Sequence, residues 1–279
     1  MNSTLKGSLL IGNLFSKKFK ALRFFSITVK SYSNESSSKG FFQKLMDITP
    51  VSPHKSAHSK VLTQNKVIYE IQFENVKPEF RREYLKETAL MMTSLSNSNS
   101  FPGILVGSWT TLYGDLDQAV HIWSYADGYD GAMNSIRYMN GNKEYQEYEQ
   151  VRGHWLKSRK NQLLQEFSFW GTPQPRGPSH IYELRSYRLK PGTLIEWGNK
   201  WGSAIQIRRK DAVGGFFSQV GDLYEVHHMW AYNDLEHRKK QREDMWEAPG
   251  WDDLVAGTIP LVRSMEARVL QPISSSPMQ

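Results

Sequence analysis

The sequence predicts an α+β protein of two tandem ferredoxin-like βαββαβ modules that together form an α/β barrel. At positions 181–198 (IYELRSYRLKPGTLIEWG), an alternating strand pattern runs through Lys-Pro-Gly into an amphipathic helix. An earlier copy exists, because Ile-Tyr-Glu at 68–70 and Lys-Pro at 77–78 recur in the same register at 181–183 and 190–191. Gly-Asp-Leu at 114–116 likewise recurs at 221–223. Each module should cover one sheet face with helices, and the two open faces should bury each other.

The first module is expected over residues 61–170. A proline after Lys77 favours a helix start, and SLSNSNS at 94–100 predicts a loop. Asp127 is a candidate cap for a following segment. The predicted elements are strand 67–73, helix 79–92, strands 103–109 and 118–125, helix 143–164 and strand 166–170.

The second module is expected over residues 179–279, after a linker at 171–178 (GTPQPRGP) whose three prolines and two glycines interrupt regular structure. The Gly-Asp turns of the two copies lie closer together in sequence than the Lys-Pro pairs do. The second module is therefore shorter than the first between its first helix and its Gly-Asp turn. Asp234 is the candidate cap of its charged helix. The other predicted elements are strand 181–187, helix 193–209 and strands 215–220, 223–232 and 264–270.

The segment 1–60 differs in composition from the rest of the chain. It holds ten Lys or Arg and two acids, whereas the remainder holds almost equal numbers of basic and acidic side chains. The stretch 1–34 lacks acids and mixes basic residues with Leu, Phe, Ser and Thr, which is typical of a mitochondrial transit peptide. A secretory signal is the alternative, but no uninterrupted apolar region ends in a small-residue cleavage site. We expect residues 1–60 to be a transit peptide and linker, with the transit peptide absent from the mature protein.

Several classes of function lack sequence support. The chain has no cysteine, which excludes disulfides, thiolate metal sites and cysteine nucleophiles. No stretch approaches the ~18 apolar residues of a transmembrane helix, so membrane association would be peripheral. No Walker-type loop or Gly-x-Ser-x-Gly elbow occurs. With no basic excess beyond position 60, we expect no nucleic-acid partner, and we assign no catalytic residue, metal or cofactor.

The pleat of each first strand separates an apolar face from a charged face. We expect the apolar face to pack on helices and the charged face to line the space between the two sheets. The strand order predicts Glu183 across from His228 and Glu70 across from His121. Such a pair could transfer protons or bind a metal or haem, or its members could simply satisfy each other in a packed core. The apolar set is Tyr69, Ile71, Phe73, Tyr182 and Leu184, and the candidate ligand-cavity residues are Glu183, Arg185, His228, Glu70 and His121.

Two other groups of side chains are interpreted as structural. Trp197 and Trp201, spaced by one helical turn in a predicted helix, are assigned to the core rather than to a ligand stack. The basic runs at 208–210 and 238–240 are assigned to solvated surface.

Two short segments fit the aromatic-x-x-aliphatic pattern by which autophagy adaptors are recognised through strand addition. One runs from Tyr113 to Leu116 and the other from Trp251 to Leu254, and both contain acidic residues. The pattern is permissive, and binding needs an accessible extended segment.

Four stretches are similar to the NIPSNAP family of mitochondrial proteins: YGDLDQAVHIW (113–123), NQLLQEFSFW (161–170), IYELRSYRLKPGTLIEWGNKW (181–201) and AVGGFFSQVGDLYEVHHMWAY (212–232). The resemblance covers about positions 67–279. It implies a dimeric α/β-barrel fold of the ferredoxin-like type and residence in the mitochondrial matrix. It also implies recruitment of autophagy receptors to damaged mitochondria, and it brings no catalytic residues.

Two functions are therefore expected. The first is a non-enzymatic mitochondrial interaction protein that signals damaged mitochondria to autophagy adaptors or receptors, a role in mitophagy. The alternative is an α/β barrel that binds or transforms a small hydrophobic ligand or haem in the candidate cavity. A homo-oligomer is also expected, although the two modules could close a barrel within one chain or pair with their counterparts in another subunit.

Overall fold

A computed structural model describes residues 62–279 of the chain. The predicted transit peptide and linker at positions 1–60 lie outside the described residues. Within the described part, no helix combines the length and the apolar character needed to cross a bilayer.

The described chain has two halves with the same order of elements. In the first half, a 3-10 turn (Pro78–Phe80) precedes the first helix. The elements of this half are β1 (Ile68–Val76), α1 (Arg81–Asn97), β2 (Gly103–Tyr113), β3 (Gln118–Tyr125), α2 (Tyr129–Gly141), α3 (Lys143–Trp155) and β4 (Leu156–Glu166).

In the second half, 3-10 segments follow the first and last helices, at Ile205–Asp211 and Ile259–Leu261. Its elements are β5 (Ile181–Leu189), α4 (Leu194–Ala204), β6 (Ala212–Val220), β7 (Glu225–Tyr232), α5 (Leu235–Glu247), α6 (Trp251–Thr258) and β8 (Val262–Pro272).

The eight strands form one closed barrel in the order β1-β3-β2-β8-β5-β7-β6-β4. Each half contributes four neighbouring antiparallel strands, β4-β1-β3-β2 and β8-β5-β7-β6, which is the ferredoxin-like arrangement. The halves join where β2 pairs with β8 and β4 pairs with β6. The predicted α+β class is confirmed, and the two modules close the barrel within one chain.

The end of the first half differs from the prediction. The helix expected over 143–164 ends at Trp155, and β4 begins at the next residue. Burial alternates only at the far end of β4, where Leu164 lies opposite Tyr69 of β1, while positions 157–161 are exposed. This charged part of the strand pairs with β1 but not with β6, and its composition resembles that of a helix. The segment 167–170, expected as a strand, mainly forms a turn.

The two predicted caps have different outcomes. Asp234 caps α5 as predicted, because its Oδ1 accepts a hydrogen bond of 2.7 Å from the backbone N–H of His237. Asp127 does not cap α2, because Gly128 occupies the N-cap position with a φ of 68°. Glycine adopts this left-handed conformation without the strain a side chain would add.

Apolar side chains from all eight strands fill the barrel interior. The Tyr69 ring packs on Phe216 with a centroid separation of 4.9 Å, and Trp109 packs on Tyr182 at 5.5 Å. The predicted division into two faces is correct, but the side assigned to each face is wrong. The apolar set points into the barrel, and the charged set lies on the outer face beneath the helices. The other interior residues are Ile71, Phe73, Val120, Ile122, Leu164, Leu184, Val213, Met229, Ala231, Leu270 and Met278.

The C-terminal tail closes one end of the barrel, and hydrogen-bonded polar side chains close the other. At one end the buried side chain of Met278 enters the interior, and the N–H of Gln279 donates to the carbonyl oxygen of Arg176 at 3.2 Å. At the other end the interior is polar. His227 Nε2 lies 2.8 Å from Gln162 Oε1, and its Nδ1 lies 2.9 Å from Ser186 Oγ. The space between the two sheets is therefore occupied by side chains.

Candidate functional site

A cavity of about 450 Å³ lies on the outer face of the second half, between β5 and β8 on one side and α4–α6 on the other. This volume falls within the range of small-molecule sites. Trp246, Ile259 and Met265 at its edge are 62–64% exposed, so the cavity opens to solvent. The other lining residues are Arg185, Tyr187, Trp197, Trp201, Arg208, Arg242, Met245, Trp251, Leu254, Val255, Thr258, Val262, Arg263 and Ser264.

Three buried tryptophans form an aromatic wall of the cavity. Trp197 and Trp201 lie one turn apart on α4 with ring centroids 6.2 Å apart, and Trp251 at the start of α6 lies 6.1 Å from Trp201. All three also belong to the hydrophobic core of this half. The interpretation of Trp197 and Trp201 as core residues is correct, and the same rings offer a flat apolar surface to a ligand.

Glu183 and two arginines form an ion-pair cluster beside the cavity. Arg185 Nε lies 3.0 Å from Glu183 Oε1, and Arg238 Nη2 lies 2.6 Å from the same oxygen. Glu183 is fully buried. Burial alone would raise the pKa of Glu183, but Arg185 and Arg238 outweigh it and hold the pKa below its ordinary value. Arg185 lines the cavity, so the charged face predicted for β5 does reach a cavity, on the outer side of the barrel.

Arg208, expected on the solvated surface, is only 2% exposed and lines the cavity. It sits in the 3-10 segment after α4, at a residue whose dihedral angles depart from helical values. Its guanidinium lies 3.8 Å from the centroid of the Trp230 ring and donates from Nη2 to the hydroxyl of Tyr232. Burial lowers the pKa of Arg208 from its ordinary value. The surface assignment is wrong because a basic run gives no sign of which member turns inward.

His228 lies directly behind the cavity wall. Its ring centroid is 4.7 Å from that of Trp201 and 5.1 Å from that of Tyr187, and both of those rings line the cavity. Neither ring nitrogen of this fully buried side chain has a hydrogen-bond partner within the described residues. Burial, together with the charges of Arg185 and Arg208, lowers the pKa of His228 well below its ordinary value. The imidazole is therefore neutral and, in the described part of the chain, unpaired.

The corresponding histidine of the first half, His121, is fully partnered. Its Nδ1 lies 2.5 Å from Ser108 Oγ and its Nε2 lies 2.8 Å from the hydroxyl of Tyr84, which donates to Glu74 at 2.7 Å. Because the single Tyr84 proton goes to Glu74, His121 Nε2 must donate and Nδ1 must accept. This histidine links α1 to the sheet, and it is not among the residues that line the cavity.

The predicted cross-strand pairs are shifted along the strand. Arg185 rather than Glu183 lies opposite His228, and Gln72 rather than Glu70 lies opposite His121. Glu70 instead accepts hydrogen bonds from Asn161 at 2.7 Å, from Gln72 at 3.0 Å and from the hydroxyl of Tyr125 at 2.9 Å. Glu70 and His121 therefore do not share a site with Glu183, Arg185 and His228.

The two candidate adaptor motifs have opposite environments. Tyr113 and Leu116, at the β2–β3 turn, are 59% and 62% exposed. Trp251 and Leu254 are 8% and 6% exposed and lie on one face of α6, packed into the core. The second motif is therefore wrong, because a buried helix cannot supply the accessible extended segment that strand addition requires.

Several cavity residues were missed by sequence reasoning, including Arg242, Met245 and Trp246 of α5. This helix has an almost uniformly charged sequence, so no apolar stripe marks the side that faces the cavity. Within the range 62–279, no three His, Asp or Glu side chains come together in a way that could hold a metal ion. The chemistry available in the cavity is therefore that of aromatic surfaces, guanidinium groups and hydroxyls.

Comparison with known proteins places the chain in a family. A family model described as NIPSNAP matches residues 182–277. Human protein NipSnap homolog 2 is 46% identical over 256 residues, which cover 90% of this chain and 89% of that protein. The zebrafish (Danio rerio) NipSnap homolog 2 is 48% identical over 240 residues, covering 85% and 84%, and the Drosophila melanogaster NipSnap is 42% identical over 246 residues, covering 87% and 89%.

The chain belongs to the NIPSNAP family. The resemblance inferred from the sequence motifs is thereby confirmed. The family match falls on the half of this NIPSNAP chain that contains the cavity, from Tyr182 on β5 to Pro277 near the C-terminal tail.

Solved structures share the fold of this NIPSNAP chain at low sequence identity. A structure described as a putative monooxygenase from Lactobacillus acidophilus has a TM-score of 0.56 at 11% identity and covers 76% of this chain and 97% of its own. A second putative monooxygenase, from Fusobacterium nucleatum, has a TM-score of 0.57 at 11% identity and covers 76% and 94%. At this identity the likeness supports the α/β-barrel fold alone.

Proposed function

We propose that this NIPSNAP protein is a non-enzymatic binding protein whose second half takes up a small, largely apolar molecule. The observation that carries the proposal is the contrast between the halves. Gln72 holds the place in β1 that Arg185 holds in β5; the space beside Gln72 measures about 20 Å³, whereas the cavity beside Arg185 measures about 450 Å³. The same arrangement of strands and helices is thus nearly filled in one half and open in the other.

The walls of the cavity support an apolar ligand. The lining combines aromatic rings from α4 and α6 with aliphatic side chains from α6 and β8. A pocket of this kind gains affinity by removing apolar ligand surface from water, roughly 25 cal/mol for each Å² buried. The exposed apolar edge, where Trp246 and Ile259 meet solvent, would extend the same contact to a ligand that protrudes.

The test is binding of 1-pyrenebutanol, a neutral apolar probe whose emission-band ratio reports the polarity around the ring. The unmodified protein should bind it saturably, and Val255→Phe should weaken binding at least tenfold because the ring occupies cavity volume. Val220→Phe is the matched control, since Val220 is 53% exposed and lies away from the cavity. Absence of saturable binding, or equal binding by Val255→Phe with an unchanged Tm, would contradict the proposal.

We propose as a second function that the β2–β3 turn presents Tyr113 and Leu116 to autophagy adaptors on damaged mitochondria. The exposure of both side chains and the acids Asp115 and Asp117 beside them support this. Because Tyr113 pairs with Val269 at the end of β2, adaptor binding by strand addition requires that last pair to open. The matches to NipSnap proteins support this function only by showing that the chain belongs to the family, since they name no partner.

The test is pulldown of adaptor proteins from depolarised mitochondria. Tyr113→Ala with Leu116→Ala should reduce recovery at least fivefold. Val220→Ala with Leu223→Ala is the matched control, because these residues are 53% and 60% exposed at the β6–β7 turn, the equivalent position in the second half. Equal recovery with both double variants, or none with the unmodified chain, would count against this function.

We also propose residence in the mitochondrial matrix, supported by the basic, acid-free composition of positions 1–34. A fluorescent protein carrying the segment 1–60 should be imported and should resist protease added to intact mitochondria. Replacing Lys17, Lys18, Lys20 and Arg23 with Glu should leave it in the cytosol. Import of the substituted fusion would contradict the transit-peptide assignment.

A further inference from the structure

The cavity carries a strong excess of positive charge. Four of its lining residues are arginines, Arg185, Arg208, Arg242 and Arg263, and none is Asp or Glu. A core cavity that merely failed to fill would be apolar, since unpaired charge next to a low-dielectric space is costly. The composition therefore indicates a site adapted to a negatively charged group.

Arg185 already has a carboxylate partner. Glu183 accepts from Arg185 Nε at 3.0 Å and from Arg238 Nη2 at 2.6 Å, and its other oxygen accepts from the Tyr232 hydroxyl at 3.4 Å. One buried carboxylate thus serves two guanidiniums directly. Its single negative charge is already shared by these two cations, and Arg185 contacts both of its oxygens.

The third cation of this cluster is Arg208. Its contacts are the face of Trp230 and the hydroxyl of Tyr232, and its Nε has no hydrogen-bond partner in the described structure. Among residues 62–279, no carboxylate oxygen lies within ion-pair distance of it. The other buried carboxylate of the region, Asp211, lies 3.8 Å from His237 Nε2 and has no ion-pair contact with Arg208. Arg208 is therefore a 2% exposed guanidinium without a direct ion-pair partner in this part of the chain, on the wall of an open cavity.

An unpaired buried cation of this kind is normally stabilised by an anion that binds with it. Two observations indicate that the anion comes from the cavity. The lining offers only cations and hydrogen-bond donors or hydroxyls as polar side-chain groups, and Arg242 and Arg263 are exposed at its edge, where they would attract an anion. The rest of the lining is apolar or aromatic, so the anion must be attached to an apolar body.

We propose that the ligand of this cavity is an amphipathic carboxylate, with its apolar body against the tryptophan wall and its carboxylate beside Arg208. This rests on the proposed function of the same cavity and adds the chemical class of its ligand. A carboxylate would place its negative charge beside Arg208, the one guanidinium of this buried cluster that does not contact Glu183. Arg208 is then the residue that distinguishes an acid from a neutral molecule of the same shape.

The experiment compares two probes with the same ring and chain, 1-pyrenebutyrate and 1-pyrenebutanol, at pH 7.5. The unmodified protein should bind the carboxylate at least about tenfold more tightly than the alcohol, since a hydrogen bond to a charged group is worth that ratio or more. Arg208→Met should bring the ratio near one mainly by weakening the carboxylate. Arg137→Met is the control, because it removes one exposed positive charge from α2 in the other half and should leave the ratio unchanged.

The outcomes separate this inference from the proposed function. Equal affinity for the two probes in the unmodified protein, or tighter binding of the alcohol, overturns the carboxylate assignment and leaves the apolar site intact. Binding of neither probe refutes the site itself. Should Arg208→Met fail to fold, the comparison of the two probes in the unmodified protein still decides. A ratio of affinities that persists at 0.5 M salt supports a buried contact with Arg208. A ratio that falls to one at 0.5 M salt indicates attraction by the exposed Arg242 and Arg263 and overturns the assignment to Arg208.

Discussion

His121 and His228 occupy corresponding positions on β3 and β7 in opposite surroundings. The neighbour of His121 on β2 is Ser108, whereas the neighbour of His228 on β6 is Gly215. The helix above His121 supplies the Tyr84 hydroxyl, whereas the helix above His228 supplies the Trp197 ring. Between the two halves, Gly215 thus stands where Ser108 stands, and Trp197 where Tyr84 stands. These two differences leave the His228 imidazole without either hydrogen-bond partner and enclose it in aromatic rings beside a cavity.

His228→Phe should raise the free energy of unfolding by about 1 kcal/mol. Phenylalanine keeps a flat ring among the aromatic neighbours and removes two buried nitrogens that lack partners within the described chain. Urea unfolding at pH 7.5 measures the change. A loss of stability instead of a gain would mean that an imidazole N–H bonds to a ring face or to a ligand that remains bound.

Stability should fall as the pH drops below about 6.5. Burial lowers the pKa of His121 to about 4 and that of His227 to about 3, and burial also lowers that of His228. Below pH 6.5 the unfolded chain binds protons that the folded chain excludes, so acid favours unfolding. Each histidine should contribute a loss of roughly 1.5 kcal/mol between pH 6.5 and pH 5.

Urea unfolding at the two pH values checks this slope. His228→Phe should reduce the loss by about one third, because one of these three buried neutral histidines is removed. An unchanged slope in this variant would contradict the assignment of a neutral, proton-excluding His228.

At the residue scale, sequence reasoning found Glu183, Arg185 and His228 but missed Arg208. Alternation along a strand identifies side chains that share a face, which is why the β5 set was recovered. The direction of Arg208 depends on an irregular 3-10 segment after α4, for which no periodic pattern exists. The burial of Arg208, the most buried cation of the cavity, was therefore not predictable from the sequence.

Among the elements, β6 shows how one strand makes room for the aromatic core. A Cβ at Gly215 would lie 2.5 Å from ring atoms of Trp170. The strand expected over 215–220 begins earlier, because all four residues of Val-Gly-Gly-Phe at 213–216 lie inside β6. Glycine at position 215 is needed because it lets the Trp170 indole approach the strand closely.

Gly215→Ala should lower the free energy of unfolding by about 1–3 kcal/mol, because the methyl group must displace the Trp170 ring. Gly153→Ala is the matched control in α3, where a Cβ meets nothing within 4 Å. It should raise stability by about 0.5–1 kcal/mol through helix propensity. Thermal and urea unfolding of both variants test the pair, and a stabilising Gly215→Ala would contradict the packing argument.

Most strands were predictable, whereas the helices α2 and α6 were not predicted and the boundary between α3 and β4 was misplaced. Strands β1, β3, β5 and β7 lie in the middle of each sheet and were recovered from their own sequences. Strand β4 is buried along only part of its length, and its exposed positions 157–161 carry the charged composition of a helix. Where a strand pairs with β1 alone and its side chains stay exposed, as here, local sequence does not reveal it.

For the whole molecule, the inside and outside of the barrel could not be assigned from sequence. One face of β1 packs against the barrel interior and the other against helices, so both faces are buried. The two faces therefore differ in the polarity of their side chains but hardly in their exposure. The apolar face proved to be the interior. Association into a homo-oligomer stays a prediction, which light scattering of the purified protein would check.

Met278→Ala should lower the free energy of unfolding of the whole barrel by about 2–4 kcal/mol. The side chain is 1% exposed and packs with interior residues of the barrel, so its loss leaves a void among residues of both halves. Met133→Ala on α2, where the side chain is 49% exposed, is the control and should change stability by less than about 0.5 kcal/mol. A single cooperative transition that Met278→Ala leaves unshifted would show that the tail does not close the barrel.

The junction between β2 and β8 also sets a condition on how the chain folds. It pairs Trp109 with Pro272 and Tyr113 with Val269, so an early strand meets the last strand of the chain. Ladders between such distant segments form slowly, because the loop between them must be ordered before the contact stabilises it. The barrel cannot close until β8 is available, so a chain that emerges from its N-terminus would leave the edge of β2 unpaired until β8 had followed.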